Sequence, residues 1–310
     1  MPPLFIINQR GSRVQKKGSS LASIAGQVGA AIINASSLET FQEQLAEHMK
    51  SDPEHIFIEG GDGTAHIVLT EYFRRLGNRK PARFTIVSGG TTNQIAGVIG
   101  TKKIDLTQVQ KILSGQAANV HQIPLLEISI DGSPSEYGFL FSSGAIPMAT
   151  DYFQTRKAEK GGANTSAVYS TILKALGRGT GSGNALIEPS PVKLTVTNPK
   201  DEIRIAEDHL GTILTTMPGF IMGIDPFWGK GDAPLRMTYL RGDNKKVVRL
   251  VLSAALRRFE KLKKTEGVES WNAEFVRLEY DGPTTLDGEK LAVSKSAIEI
   301  RPTRPITFIS

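Results

Sequence analysis

The stretch that decides the fold is His55-Ile56-Phe57-Ile58-Glu59-Gly60-Gly61-Asp62-Gly63-Thr64-Ala65. An apolar, strand-forming run ends in a cluster of glycines. A helical pattern follows at once, with Val68, Leu69, Tyr72, Phe73 and Leu76 recurring on one face. A strand that passes through glycine into a helix N-terminus gathers backbone N–H groups and the positive end of the helix dipole at one point, so an anion is expected there. Glycine lets the backbone approach phosphate oxygens without a Cβ in the way, and Thr64 offers a hydroxyl that can cap the helix or bond a phosphate. Asp62 has the wrong charge for a bare anion and is read as a partner of Mg²⁺ or as a proton-transfer group. The competing reading is a glycine-rich turn whose aspartate only caps the helix.

Working outward, Leu4–Ile7 and Phe84–Val87 are further strand-like runs, and Ser88-Gly89-Gly90-Thr91-Thr92-Asn93 repeats the pattern of a polar glycine loop between a strand and a helix. Two such loops at the same ends of parallel strands face one crevice. A helix is expected from Ser36, where Ser36 and Glu39 have capping-box spacing and Leu38, Phe41, Leu45 and Met49 mark one face. From about Leu125 the pattern changes to strands with turn signals: Leu125–Ile130 before Asp131-Gly132, then Val192–Thr197, Leu235–Leu240, Phe275–Tyr280 and Ala297–Ile300. The expected organisation is an α/β domain over residues 1–123 and an antiparallel β-rich domain over 124–301.

The chain of 310 residues is 39% hydrophobic and 22% charged, enough for a sizeable core. It has no cysteine, which excludes disulfides, thiolate metal sites and cysteine nucleophiles. No secretory signal or membrane-spanning run is read, so a cytoplasmic location is expected. A net charge of +6 favours anionic partners, but aromatics make up only 7% and no basic stretch interleaves with them, so nucleic acid is not expected. The five histidines show no ligand spacing. Ala158–Ala185 is rich in Gly, Ser and Thr and reads as a mobile loop rather than a dinucleotide fingerprint, because it lacks the strand before and the helix after. Lys245–Lys264 reads as a basic amphipathic helix, which could pack on its own domain or touch an anionic membrane. Asp225-Pro226-Phe227-Trp228-Gly229 offers either a lipid-facing edge or a packed corner.

Late in the chain, Asp287-Gly288-Glu289 sets two carboxylates around a flexible residue, either as a pair able to orient Mg²⁺ and accept a hydroxyl proton or as a simple hairpin turn. Taken in order, Ile6-Ile7-Asn8, Gly60-Gly61-Asp62-Gly63-Thr64, Gly90-Thr91-Thr92-Asn93, Phe141 with Ser143-Gly144, and Leu286-Asp287-Gly288-Glu289 resemble the diacylglycerol kinase catalytic-domain family, which includes sphingosine, ceramide and bacterial lipid kinases. The resemblance implies an NAD-kinase-like α/β nucleotide domain, a C-terminal antiparallel β-sandwich for the lipid, and a tail near 302–310 that returns to the first domain. It implies ATP and Mg²⁺ as cofactors, with Asn8, Gly60, Gly61, Gly63, Thr64, Gly90, Thr91, Thr92 and Asn93 at the nucleotide. Asp62, Asp287 and Glu289 are the implied catalytic residues, and Asp62 and Glu289 the implied metal ligands. Expected partners are a lipid substrate and an anionic membrane surface met peripherally, with a homodimer left open. The alternatives are a kinase for a soluble acceptor such as NAD, or an inactive nucleotide- or lipid-binding module.

Three positions depart from the family pattern. Asn8-Gln9-Arg10-Gly11-Ser12 lacks the usual proline of the first loop, Ser88 replaces a proline in the second, and His66 stands where asparagine is common. Gly231-Asp232-Ala233-Pro234 lacks the Asp-Asp-Gly element of an accessory Mg²⁺ site, so that metal is not carried over.

Overall fold

Leu4–Ile7 has no polar position because both of its faces are buried. Leu4 and Ile6 pack with Phe41, Leu45, Val68 and Tyr72, while Phe5 and Ile7 pack with Leu21, Val109 and Ile112. A parallel strand covered by helices on both sides needs no alternation. The computed structural model describes residues 2–90, 93–116, 119–147, 189–219, 225–242, 265–291 and 296–310.

The first half runs β1 (Leu4–Ile7), α1 (Ser12–Lys17), α2 (Ala25–Val28), β2 (Ala31–Asn34), α3 (Leu38–His48), β3 (His55–Gly60), α4 (Asp62–Leu76), β4 (Arg83–Ser88), α5 (Gln94–Ile99), α6 (Leu106–Leu113) and β5 (Val120–Ile123). The second half is β6 (Leu126–Ile130), β7 (Glu136–Gly138), β8 (Leu140–Gly144), β9 (Ser190–Thr197), β10 (Glu202–Thr215), β11 (Leu235–Arg241), β12 (Val268–Ala273), β13 (Phe275–Tyr280), β14 (Thr284–Leu286), β15 (Glu289–Lys290) and β16 (Ser296–Pro302). The chain then returns as β17 (Ile306–Ile309).

The first sheet has the order β2-β1-β3-β4-β17-β5. β1, β2, β3, β4 and β17 are parallel, and β5 lies antiparallel on the edge. The order reverses between β1 and β3, so the loops after β1, β3 and β4 open on a topological switch point. β17 is held beside β4 partly by Thr85, whose hydroxyl donates to the Ile309 carbonyl at 2.9 Å.

The expected α/β domain with a parallel sheet followed by an antiparallel β domain is what the structure contains. Its sandwich is continuous: β10, 14 residues long, pairs with β9 through Glu202–His209 and with β8 and β11 beyond a register shift at His209/Gly211. The two parts share one core, in which Leu194, Leu278 and Ile298 meet Phe141, Leu214 and Leu286.

Two local expectations need correction. Helix α3 starts at Leu38 with Ser37 at its cap and no side-chain capping bond, because the Ser36 hydroxyl turns to Asn8 Oδ1 at 3.4 Å. Leu38 then falls off the buried face and is 53% exposed, while Phe41 and Leu45 are fully buried. A capping box does form at α6, between Asp105 and Gln108. The glycine-rich segment within 158–185 and the basic helix at 245–264 lie outside the described residues.

Candidate functional site

Three loops meet at the switch point with almost no space between their backbones. The Gly89 N–H donates to the Gly60 carbonyl at 2.8 Å, and the Arg13 N–H donates to the Gly89 carbonyl at 3.0 Å. A Cβ on Gly90 would stand 2.5 Å from Gly61 Cα, and one on Gly89 would stand 2.8 Å from the Gly60 nitrogen. These glycines are therefore required first by loop-to-loop contact. Beside them is a cleft of about 340 Å³ whose wall includes Asn8, Gly61, Gly63, Thr64, Gly90 and Glu289. A larger hollow of about 810 Å³ lies by the N-terminal ends of β3 and β4, lined among others by Lys80, Arg83 and Arg304, with none of the predicted site residues in its wall.

Helix α4 begins on Asp62, so its first amides face the cleft. Asn8 Nδ2 donates to Thr64 Oγ1 at 2.8 Å, which leaves the Thr64 hydroxyl hydrogen for another acceptor. Asn8 Oδ1 accepts from the Arg10 N–H at 2.9 Å, so a side chain builds the turn that proline would otherwise shape. Asp62 Oδ1 accepts from the Ile95 N–H at 2.9 Å and ties α4 to the start of α5. Asn93, at φ +51°, closes the second loop: its Oδ1 accepts from the Gly90 N–H at 2.7 Å and its Nδ2 donates to the Gly90 carbonyl at 2.6 Å. The Ser88 N–H donates to the Thr101 carbonyl at 2.9 Å, a bond that proline could not make.

The second domain contributes the β14–β15 turn. Asp287 at φ +53° and Gly288 at φ +89° form a two-residue hairpin in which Leu286 pairs with Glu289. The hairpin reading and the carboxylate reading thus describe the same residues. The Asp287 side chain is 2% exposed, and its carboxylate accepts from the Phe139 and Leu140 N–H groups at 2.9–3.1 Å. Burial pushes its carboxyl up to about 6, against the pull of His66 and of the two amides. Glu289 Oε1 lies 2.6 Å from the point where a Cβ on Gly63 would stand, so the second domain's carboxylate touches the phosphate-loop side of the cleft.

The structure thus brings together Asn8, Gly61, Gly63, Thr64, Gly90 and Glu289 in the cleft wall. Gly60 lies just beneath, where a Cβ would strike Thr64 at 2.5 Å. Asp62 points across to α5, and Asp287 lies behind the wall rather than on it. Thr91 and Thr92 lie outside the described residues. Asp225–Gly229 is a packed corner: Phe227 is 7% exposed beneath the Arg236 guanidinium, and a Cβ on Gly229 would meet the Trp271 backbone at 2.3 Å.

Sequence reasoning missed Glu59, which is 3% exposed and accepts from Ser19 Oγ at 2.5 Å, the Ser20 N–H and hydroxyl at 3.0 and 2.7 Å, and the Leu21 N–H at 3.1 Å. Its signal was a charge at the end of an otherwise apolar buried strand. His66 was noted only as a departure, although Asp62, His66, Thr70 and Arg74 recur every four residues and so share one face of α4. Among the described residues no helix is long and apolar enough to cross a membrane.

The diacylglycerol kinase catalytic domain family matches residues 2–124. No curated protein matches the chain. A crystal structure described as that of "a putative diacylglycerol kinase from Bacillus anthracis str. Sterne" is similar at 16% identity with a TM-score of 0.66, over 99% of this chain and 96% of that one. A second, described as that of a diacylglycerol kinase from the same strain, is similar at 15% identity with a TM-score of 0.61, again over 99% and 96%. At these identities the likeness is one of fold, and it extends over both domains.

Proposed function

We propose, for a chain whose residues 2–124 belong to the diacylglycerol kinase catalytic-domain family, that it transfers the γ-phosphoryl group of MgATP to a hydroxyl of a lipid acceptor. The observation that carries this reading is the approach of Glu289 to Gly63, because it joins an acceptor-domain carboxylate to a phosphate-type loop. Phosphoryl transfer asks mainly for alignment and for charge neutralisation, and the cleft supplies groups for both.

In this reading the amides from Gly61 to Thr64 and the N-terminus of α4 receive the phosphates, and the Thr64 hydroxyl, held from behind by Asn8, donates to one of them. Among the described residues no three His, Asp or Glu side chains gather as a metal-binding set. Asp62, at the start of α4, and Glu289, on the cleft wall, are the residues that would hold a divalent cation, with phosphate oxygens and water supplying its other ligands, as magnesium is bound at nucleotide sites. When bound, magnesium neutralises charge on the transferring group. Asp287 takes the proton of an acceptor hydroxyl that enters from the β-domain side, as the acceptor oxygen bonds to the γ-phosphorus and ADP leaves. A carboxyl held near 6 is a better base near neutral pH than an ordinary one.

The test is incubation of the purified chain with γ-labelled MgATP and either a fractionated lipid extract or NAD, beside Asp62→Asn, which keeps an oxygen for the Ile95 N–H. Label is expected in a lipid fraction with the wild-type chain and at least about 100-fold less with the variant. Label in NAD with none in any lipid would overturn the reading.

A further inference from the structure

The polar stripe of α4 is the seam between the two domains. Thr70 Oγ1 donates to the Tyr137 carbonyl at 3.1 Å and accepts from the Tyr137 N–H at 3.0 Å, and Arg74 Nε donates to the Ser135 carbonyl at 2.8 Å. Both grip the main chain beside or within β7. His66, one turn nearer the phosphate loop, is 5% exposed and faces carboxylates instead. Its Nε2 lies 3.2 Å from Glu136 Oε2, and its Nδ1 lies 3.8 Å from Asp287 Oδ2 with no hydrogen-bond partner. Glu136 is in turn 4.0 Å from Arg74 Nη2. Nothing in the transfer chemistry requires an imidazole here, and core packing does not explain a buried polar ring between two acids.

We propose that His66 is a positioning residue: spanning Glu136 and Asp287, it fixes the Asp287-Gly288-Glu289 turn over the phosphate loop. This rests on the reading of Asp287 and Glu289 as acceptor-side groups of a phosphotransferase. The bridge joins three elements, since His66 belongs to α4, Glu136 to β7 and Asp287 to the β14–β15 turn. A change at His66 thus moves the turn without touching the nucleotide loop. Burial pulls the imidazole down, but Glu136, Asp287 and Glu289 together hold it above its usual value. The charged groups that act on it are Glu136 from β7 and Asp287 and Glu289 from the hairpin; Asp62, on its own helix, acts on Asp287 instead. Protonated, the ring donates from Nε2 to Glu136 and attracts the Asp287 carboxylate across 3.8 Å by charge. Neutral, and donating from Nε2 to Glu136, it turns a lone pair toward Asp287, and the hold on the turn weakens.

The experiment compares the full-length wild-type chain with His66→Ala, His66→Gln, Glu136→Gln and Asp287→Asn, measuring kcat, the KM for MgATP and the pH dependence of kcat on the lipid fraction that accepts label. His66→Ala is expected to lower kcat by about 10- to 100-fold with the KM for MgATP within about two-fold, the signature of a misplaced group rather than of lost binding. His66→Gln, which keeps a donor, is expected to recover part of the loss, and an alkaline fall of kcat is expected in the wild-type chain and not in this variant. Unchanged kcat in His66→Ala overturns the proposal while leaving the kinase reading intact. Should His66→Ala fail to fold, Glu136→Gln and His66→Gln carry the same comparison. If the wild-type chain labels no lipid, the kinase reading fails, and the bridge is then judged by the ring ¹⁵N shifts of His66, assigned by their absence in His66→Gln. Shifts that move in both Glu136→Gln and Asp287→Asn support the bridge, and shifts that move in neither overturn it.

Discussion

Gly60–Thr64 and Leu286–Glu289 stand on two sides of one cleft and are held there by different forces. The first is fixed by exclusion: Gly61 and Gly90 approach so closely that a single methyl on Gly90 would lie 2.5 Å from backbone. The second is fixed by attraction, with a buried carboxylate accepting two amides from the chain entering β8 while nothing lies within 4 Å of Gly288 on the side a Cβ would take. A contact made by excluded volume tolerates no added atom, whereas one made by a hydrogen-bonded charge tolerates bulk but not a change of chemistry.

The sharpest break of this comparison is the pair Gly90→Ala and Gly288→Ala. Gly90→Ala is expected to remove turnover, by more than about 10³-fold, and to cost about 1–3 kcal/mol in urea unfolding, because the colliding atoms are backbone. Gly288→Ala meets only its positive φ, costs about 1–2 kcal/mol and keeps measurable turnover. Equal activity of the two variants would end the distinction.

Asp287→Asn tests attraction by chemistry. It keeps the size of the side chain and is expected to lower kcat by about 10²- to 10⁴-fold with little change in nucleotide affinity. The same variant has a pH signature. The folded-state carboxyl, raised to about 6, binds its proton more tightly than in the unfolded chain, so the stability it contributes is complete below about pH 4 and is lost as pH rises through 6. Relative to the wild-type chain, Asp287→Asn should therefore gain melting temperature between pH 5 and pH 8. A constant difference across that range would show the carboxyl to be unperturbed.

Gly63→Ala lies between the two modes, since its Cβ meets only the end of the Glu289 side chain. The carboxylate can swing away, so melting is expected to stay within about 0.5 kcal/mol of wild type. Turnover should fall by about 10-fold, with a higher Mg²⁺ requirement measured by titration. Glu59→Gln is the mildest change for turnover: it weakens the Ser19–Leu21 loop and should cost about 1–2 kcal/mol of stability without affecting the pH dependence of kcat.

How much of this was legible depends on whether the signal was local. β1, β3 and β4 were readable because strands buried on both faces are built around apolar runs without polar alternation, and the loops after β3 and β4 because glycine marks close approach. All of β10 escaped notice; its first half, Glu202–Asp208, alternates exposed and half-buried positions with no buried residue to mark a strand. Ser36 and Glu39 had the spacing of a capping box, but Asn8 competed for the Ser36 hydroxyl. The return of the tail was implied only by the family resemblance, since no local pattern in Ile306–Ile309 says that four residues will insert beside β4, where Phe308 pairs with Phe84 across more than two hundred positions.

The sequence by itself determined that a strand, a glycine loop and a helix N-terminus occur together at Gly60–Thr64, because that arrangement is encoded within ten residues. Only the tertiary structure decided that Glu289 reaches Gly63, that Asp287 lies buried on the amides of Phe139 and Leu140, and that His66 stands between two acids. Those contacts join residues 70 to more than 200 positions apart, and their geometry follows from how one domain packs on the other, which no local pattern of residues specifies.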